Sequence, residues 1–301
     1  MVSCGPAGEE RTQSVMAEAD RSIGSSTGMI CILGHPVRHS RSPSMHNAAF
    51  ATQGLDLVYL AFDVPPDDLA VAVAGLRALG VAGANITIPH KEAIIPLLDE
   101  VEPAARRTGA VNTLVSREGR LVGYNTDVYG FLRALEKGWG RGPYGARCLV
   151  VGAGGAARAV IAALVAEEAG EIWVYNRNIA RARDLCAEVA SWSPLPIRVL
   201  GESDLLLFGP QAELIVNATP AGMETGVKAT PIPVDILTSD QVVLDVVYAA
   251  EATPLLVAAH GKGALVIDGV EMLVQQAARS YELWTGRAAP IDLMRVHALA
   301  S

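Results

Sequence analysis

From Met29 onward, short apolar and β-branched runs alternate with segments whose apolar positions recur at helical spacing. Met29–Leu33 predicts a buried strand, Leu57–Val64 a second and Gly83–Ile88 a third. Between the first two, Ser42-Pro43 opens a helix that ends near Gly54, with Ser42 as N-cap and Pro43 at the first position. Pro66–Leu79 and Lys91–Leu98 are expected to be helical. Asn112–Ser116 and Arg120–Tyr124 flank Arg117-Glu118-Gly119 as a hairpin. Together these predict an α/β layered unit. A second unit begins near Gly145. It reads as strand Cys148–Val151, helix Ala156–Ala169, strand Glu171–Tyr175 and helix Ala180–Ala190, then strands Glu213–Asn217, Val242–Val247 and Leu265–Ile267. Repeated strand–helix units predict a doubly wound parallel sheet. Two closing helices, Glu271–Thr285 and Ile291–Ala300, fit either a cap on the second unit or a return to the first.

Composition narrows the classes. The 301 residues suit one large domain or two ordinary ones, and with half of them apolar and 19% charged, a disordered chain is excluded. A net charge of −8 argues against nucleic-acid or membrane-surface binding, which needs a basic field. Every long apolar run is interrupted within ~18 residues, so no membrane span is expected. Cys4, Cys31, Cys148 and Cys186 lie far apart, without metal-ligand or redox spacing, which suits buried thiols in a reduced cytoplasm. Met1–Gly28 mixes Gly, Ser and Thr with acids and has no apolar run, so it reads as a flexible extension rather than a secretory or organellar leader.

Gly152-Ala153-Gly154-Gly155-Ala156-Ala157 follows a strand and opens a helix. This fits a dinucleotide turn, in which small residues admit a pyrophosphate to a helix N-terminus. A glycine turn can also serve packing alone, but here the strand–turn–helix–strand context accompanies it. A site for NAD usually places an acid at the end of the next strand, about 20 residues on, to bind the ribose 2′-hydroxyl. Here the chain offers Asn176, Arg177, Asn178 and Arg181 instead. Arginines pair with a 2′-phosphate, which favours NADP, although two arginines at a helix start can also be merely solvated.

Only four of the 24 basic residues are lysines, so a lysine within a motif is informative. Arginine keeps its proton in proteins, whereas lysine can exchange one. Lys91 lies just past the carboxyl end of the third strand, where ligands of open sheets bind; otherwise it is a solvated residue on a first helical turn. Asp127 closes Gly123-Tyr124-Asn125-Thr126-Asp127 and enters a helix, either as a dipole-favoured acid or as the proton-transfer partner of Lys91. His35, His39 and His46 do not make a metal site: Pro36 bars the helix that would align the first two, and no acid or thiol joins them nearby. His39-Ser40-Arg41-Ser42 reads better as a loop of hydroxyl donors suited to a carboxylate.

From about Ile32 to Met294 these segments, in this order, resemble the shikimate dehydrogenase family. Gly34-His35-Pro36-Val37-Arg38-His39-Ser40-Arg41-Ser42-Pro43 is similar to its substrate-carboxylate loop, with Ser40 and Ser42 as the carboxylate ligands. Asn85-Ile86-Thr87-Ile88-Pro89-His90-Lys91 resembles the segment of its catalytic lysine, and the resemblance makes Thr87 a substrate contact and Asp127 the partner of Lys91. It likewise implies that Asn112, Tyr248 and Gln276 touch substrate, that Val246 binds the cofactor and that Gly269 lies at its nicotinamide end. Asn178 stands where the family commonly has Thr, and Glu271 where it often has Gly.

The implied architecture is a two-domain α/β protein. An N-terminal substrate domain (29–127) is completed by C-terminal helices (270–301), and a Rossmann-type NADP domain spans 128–269. The implied reaction is reversible NADP-dependent reduction of 3-dehydroshikimate to shikimate, in the pathway to chorismate and aromatic amino acids. A homodimer is the assembly kept in view. A quinate/shikimate or aminoshikimate-type dehydrogenase is the alternative within the superfamily. A non-catalytic dinucleotide sensor is the alternative outside it, and such a sensor would have no need for both Lys91 and Asp127.

Overall fold

The computed structural model describes residues 23–223, 229–249 and 251–300. Most of the expected Met1–Gly28 extension, Cys4 included, lies outside the described residues. Its end is anchored: Ser26 Oγ and Thr27 Oγ1 donate to the two carboxylate oxygens of Asp56 at 2.8 and 2.7 Å. Order therefore precedes Met29, and β1 (Gly28–Gly34) starts one residue early.

The first unit continues with α1 (Ser42–Thr52), β2 (Leu57–Asp63), α2 (Leu69–Ala78), β3 (Gly83–Ile86), β4 (Glu100–Val101), α3 (Pro103–Thr108), β5 (Thr113–Arg117) and β6 (Arg120–Tyr124). Its sheet has the order β2-β1-β3-β5-β6-β4, with β5 antiparallel to both β3 and β6. Helix α4 (Asp127–Trp139) leads into β7 (Arg147–Val151), α5 (Gly155–Ala166), β8 (Glu171–Tyr175), α6 (Ile179–Ala190), β9 (Ile197–Leu200) and α7 (Glu202–Phe208). Then come β10 (Leu214–Asn217), β11 (Val242–Asp245), α8 (Pro254–Gly261), β12 (Leu265–Ile267), α9 (Gly269–Thr285) and α10 (Ile291–Ala300). The second sheet is parallel throughout, in the doubly wound order β12-β11-β10-β7-β8-β9. Strand order reverses between β7 and β10, and such a switch point opens a crevice at the carboxyl ends of the strands. The register aligns Val151, Tyr175, Asn217 and Asp245 along that edge.

Three local expectations need correction. The segment after Lys91 is a series of turns ending in one 3-10 turn, Ile95–Leu97, because Pro96 lacks the N–H that a helix needs and its ring crowds the preceding turn. Pro66–Asp68 forms a separate 3-10 turn ahead of α2. The N-cap of α1 is Arg41, which leaves Ser42 at the first helical position and Pro43 at the second.

The closing helices return to the first unit. Val270, Leu273, Val274, Ala277 and Tyr281 of α9, with Met294 and Ala298 of α10, share a core with Ile30, Ile32, Met45, Phe50 and Tyr59. Met272, on another side of α9, enters the second unit's core with Phe131 and Ile161, so α9 binds the halves together. Gly130 permits the close approach of α4 and α9, since a Cβ there would lie 2.7 Å from the Met272 carbonyl oxygen. Glu271 acquires a role in this arrangement. It accepts from Arg295 Nε and Nη2 at 3.1 and 3.0 Å and from Lys137 Nζ at 2.7 Å, clamping α9 to α10 and α4. Burial alone would raise its carboxyl, but the bonds from Arg295, Lys137 and Gln275 prevail and hold it down at about 2.

His46 is buried in the first core, stacked on Tyr59 at 4.6 Å, with no hydrogen-bond partner for either ring nitrogen. Burial pushes its pKa down from 6.5 to about 3. Below pH ~6.5 the unfolded chain takes up a proton that the folded chain refuses. His46 thus contributes stability that is complete above that pH and lost as pH falls toward 3, by about 1.4 kcal/mol per unit. His46→Phe keeps the ring stack and is expected to flatten the drop in Tm between about pH 7 and pH 5. Parallel Tm profiles for the two proteins would contradict this account.

Candidate active site

Lys91 and Asp127 meet. Lys91 Nζ donates to Asp127 Oδ2 at 2.5 Å, with side chains only 15% and 6% exposed. Several local bonds force the encounter. His90 Nε2 donates to the Val64 carbonyl at 2.7 Å, and Val111 N donates to the Lys91 carbonyl at 2.8 Å, so the turn after β3 is pinned on both sides. Asn125 Oδ1 accepts from Asp127 N at 3.0 Å, an Asx turn that aims the carboxylate as α4 begins. The other Asp127 oxygen accepts from Asn112 Nδ2 at 2.8 Å. Such bonds are what a largely desolvated ion pair requires.

Behind the pair runs a buried polar chain that sequence reasoning missed. Asn112 Oδ1 accepts from Thr126 N at 2.7 Å and from Thr113 Oγ1 at 3.0 Å. Thr113 Oγ1 shares a bond with Ser280 Oγ at 2.8 Å, and Asn85 Nδ2 donates to Thr113 Oγ1 at 3.1 Å. Tyr59 donates to Asn85 Oδ1 at 2.7 Å. The chain thus runs from Tyr59, in the first core, to the Lys91–Asp127 pair. In the sequence these residues look like ordinary polar positions on strands; only the register that sets Asn85 opposite Thr113 reveals the link. Gln276 joins weakly, its Oε1 lying 3.4 Å from both Asn112 Nδ2 and Thr126 Oγ1.

Ser40 Oγ accepts from Ser42 N at 3.3 Å, so Ser40 orders the entry to α1 while the Ser42 hydroxyl is spared from capping. Between them, buried Arg41 donates to the Ala298 carbonyl and lies 5.6 Å from the centre of the Tyr248 ring. That contact carries Tyr248, from the loop after β11, to the Ser40–Ser42 loop. Asp245 steadies the same loop: it accepts from Val247 N at 3.0 Å, Asn217 Nδ2 at 2.8 Å and Thr253 Oγ1 at 2.6 Å, while burial pushes its pKa up to about 6. Thr87 packs against bare Gly34, where a Cβ would lie 2.3 Å from Thr87 Cγ2. Of the expected non-ligand histidines, His35 pairs with Asp63 at 2.7 Å and His46 is in the core.

On the other wall, Gly152 has φ 120°, a conformation that favours glycine, and a Cβ there would lie 2.9 Å from the Ala218 carbonyl oxygen. Space over Gly154 is open, and α5 starts there without a side-chain cap, leaving its first N–H groups for an anion. Ala153 and Ala156 complete the turn. A Cβ on Gly155 would lie 2.9 Å from Lys91 Cβ, so the glycine turn and the lysine stem touch across the seam. Asn176 Nδ2 donates to the Asn178 carbonyl at 2.8 Å, and Asn178 Oδ1 caps α6 through Ala180 N and Arg181 N. Arg177 is exposed and has no ion-pair partner among the described residues, whereas Arg181 faces Glu92. Gly269 abuts Val246, since a Cβ there would lie 2.5 Å from the Val246 carbonyl oxygen.

Comparison with known proteins places the chain in a family. Residues 32–114 match the shikimate dehydrogenase substrate binding domain, residues 140–225 the shikimate / quinate 5-dehydrogenase family, and residues 269–295 the shikimate 5′-dehydrogenase C-terminal domain. Shikimate dehydrogenase (NADP(+)) of Moorella thermoacetica is 50% identical over 274 residues, 90% of this chain and 92% of that protein. Shikimate 5-dehydrogenase of Thermus thermophilus, solved in complex with NADP(H) and shikimate, superimposes with a TM-score of 0.80 at 40% identity, covering 90% of this chain and 98% of its own. Quinate dehydrogenase of Corynebacterium glutamicum, solved in complex with NAD, gives 0.83 at 34% identity, covering 91% and 99%. With half of its aligned residues shared across nine-tenths of its length, this chain belongs to the shikimate dehydrogenase family.

Proposed function

We propose that this chain catalyses the reversible NADP-dependent reduction of 3-dehydroshikimate to shikimate, within the pathway to chorismate and aromatic amino acids. The observation that carries the reading is the Lys91–Asp127 pair, held at 2.5 Å against the dinucleotide turn. The residues on the cofactor wall fit NADP: an open space over Gly154, an uncapped helix start and the free guanidinium of Arg177. Gly152, Ala153, Gly154, Gly155 and Ala156 would hold the pyrophosphate, and Asn176, Arg177, Asn178 and Arg181 the 2′-phosphate. Val246 and Gly269 would bound the nicotinamide, which supplies or accepts the hydride when bound. Lys91 Nζ gives a proton to the new hydroxyl oxygen in reduction and recovers it in oxidation, while Asp127 keeps the amine oriented. Ser40 and Ser42 bind the substrate carboxylate. Thr87, Asn112, Tyr248 and Gln276 contact the rest of the substrate.

Residues 29–127 with 270–301 form the substrate domain in this reading, and 128–269 the NADP domain. Support comes from the buried clusters: those of the first unit run to Leu121 and resume at Val270, and those of the second begin at Phe131. A cytoplasmic setting is supported by the free, buried Cys31, Cys148 and Cys186, and no described helix is long and apolar enough to cross a membrane. Edge strand β2, with Leu60 and Phe62 exposed, is a pairing surface for a homodimer.

The decisive assay mixes the protein with 3-dehydroshikimate or 3-dehydroquinate and with NADPH or NADH, following loss of reduced-cofactor absorbance. Turnover confined to 3-dehydroshikimate and NADPH is expected. Comparable rates with 3-dehydroquinate would favour the quinate/shikimate alternative, and tight NADP binding without turnover would favour a sensor. Arg177→Ala should weaken NADP by about tenfold or more while sparing NAD, because only NADP carries the lost phosphate bond. Equal loss for both cofactors would refute the assignment of Arg177. Ser40→Ala and Ser42→Ala should raise the shikimate KM and leave NADP affinity unchanged. A matching fall in cofactor affinity would show that the loop serves another purpose.

A further inference from the structure

Glu92 follows Lys91 directly and reaches across the seam between the two units. Its Oε1 lies 3.5 Å from Arg181 Nη2, and its Oε2 lies 3.2 Å from Arg158 Nε. Arg158, on α5, also donates from Nη1 to Glu188 Oε2 on α6 at 2.7 Å. Gly109 lets this cluster sit flush against the first unit: a Cβ there would lie 2.7 Å from Arg158 Nη1 and 2.8 Å from Glu188 Oε1. We propose that Glu92 tunes cofactor selectivity, as a carboxylate that competes with the 2′-phosphate of NADP for Arg181. The proposal rests on the NADP reading above.

The cluster holds two acids and two bases, so it is balanced without cofactor. Its contacts are unequal. Arg158 is only 14% exposed and close to Glu188, a bond that persists. The Arg181–Glu92 contact is long and its side chains are 57% and 36% exposed, so it is weak and readily exchanged. A phosphate monoester near neutral pH carries about two negative charges and accepts strong guanidinium bonds. Arg181 exchanges Glu92 for that phosphate, and the released carboxylate then faces a like charge. Glu92 remains nearby because its other oxygen lies 3.2 Å from the Arg158 guanidinium, an ion pair without an aligned hydrogen bond. NAD brings no 2′-phosphate and leaves the contact intact. Glu92 therefore lowers the preference for NADP below what Arg177 and Arg181 alone would give. A merely structural bridge between the units would affect both cofactors alike.

The test uses the full chain and measures binding rather than turnover. Calorimetry with 2′,5′-ADP and with 5′-AMP compares ligands that differ in the 2′-phosphate. Glu92→Gln should tighten 2′,5′-ADP by about two- to fivefold, the range of exposed ion-pair effects, and leave 5′-AMP unchanged. The gain should shrink at high salt. In an Arg181→Gln background, Glu92→Gln should no longer tighten 2′,5′-ADP, because the contested guanidinium is gone. No change for 2′,5′-ADP, an equal change for both ligands, or a gain that survives Arg181→Gln would overturn the proposal. If the native chain does not prefer 2′,5′-ADP over 5′-AMP, the NADP reading fails and takes the proposal with it. The native and variant arms keep those two failures apart.

Discussion

A lysine and an aspartate that face each other with little water around them impose conditions on everything nearby. Removing two charges from water costs several kcal/mol unless their remaining donors and acceptors are satisfied. The Lys91–Asp127 pair meets that condition through Asn112, which donates to the free Asp127 oxygen. Asn112 is fixed in its turn by Thr126 N and Thr113 Oγ1, and Thr113 by the register of three strands. The first sheet is therefore more than a scaffold beneath the site. Its pairing scheme sets the direction of the Asp127 carboxylate.

The second dependency is the seam. Bare backbone occurs where the units meet: Gly155 against the Lys91 stem and Gly109 against Arg158 and Glu188. Side chains at these places would hold the walls apart. Helices α4 and α9 cross the seam, packed at Gly130 and clamped through Glu271. Lys91 thus lies at the junction of three constraints: its own sheet, the Gly152–Gly155 turn and the Asp127 carboxylate.

Much of this was legible in the sequence, and the failures have physical causes. Alternation of strands and helices gave both units, because buried parallel strands read as apolar runs. The glycine turn was legible because its backbone conformation admits few other residues. Lys91 and Asp127 could each be singled out, but their contact could not, since spacing along the chain carries no information about it. Tyr59, Asn85 and Ser280 are hidden in the sequence because polar residues on strands and helices usually face solvent; only the sheet register turns Tyr59 and Asn85 inward, and only the packing of α9 buries Ser280. Pro96 was visible and should have ruled out a helix over Lys91–Leu98. Glu271 stood out as a departure, yet its partners Lys137 and Arg295 lie on other helices, beyond the reach of local pattern.

The central claim is that Lys91 and Asp127 act as one unit, and a double-variant cycle tests it most directly. Single-turnover and steady-state rates for Lys91→Ala, Asp127→Asn and the double variant would be measured under identical conditions. Each single change should lower kcat by about 10²–10⁴-fold, the usual range for a positioned proton-transfer group. The double variant should be little slower than the slower single variant, because either loss already disables the pair. Losses that multiply, or a Lys91→Ala enzyme with near-full kcat, would contradict the account.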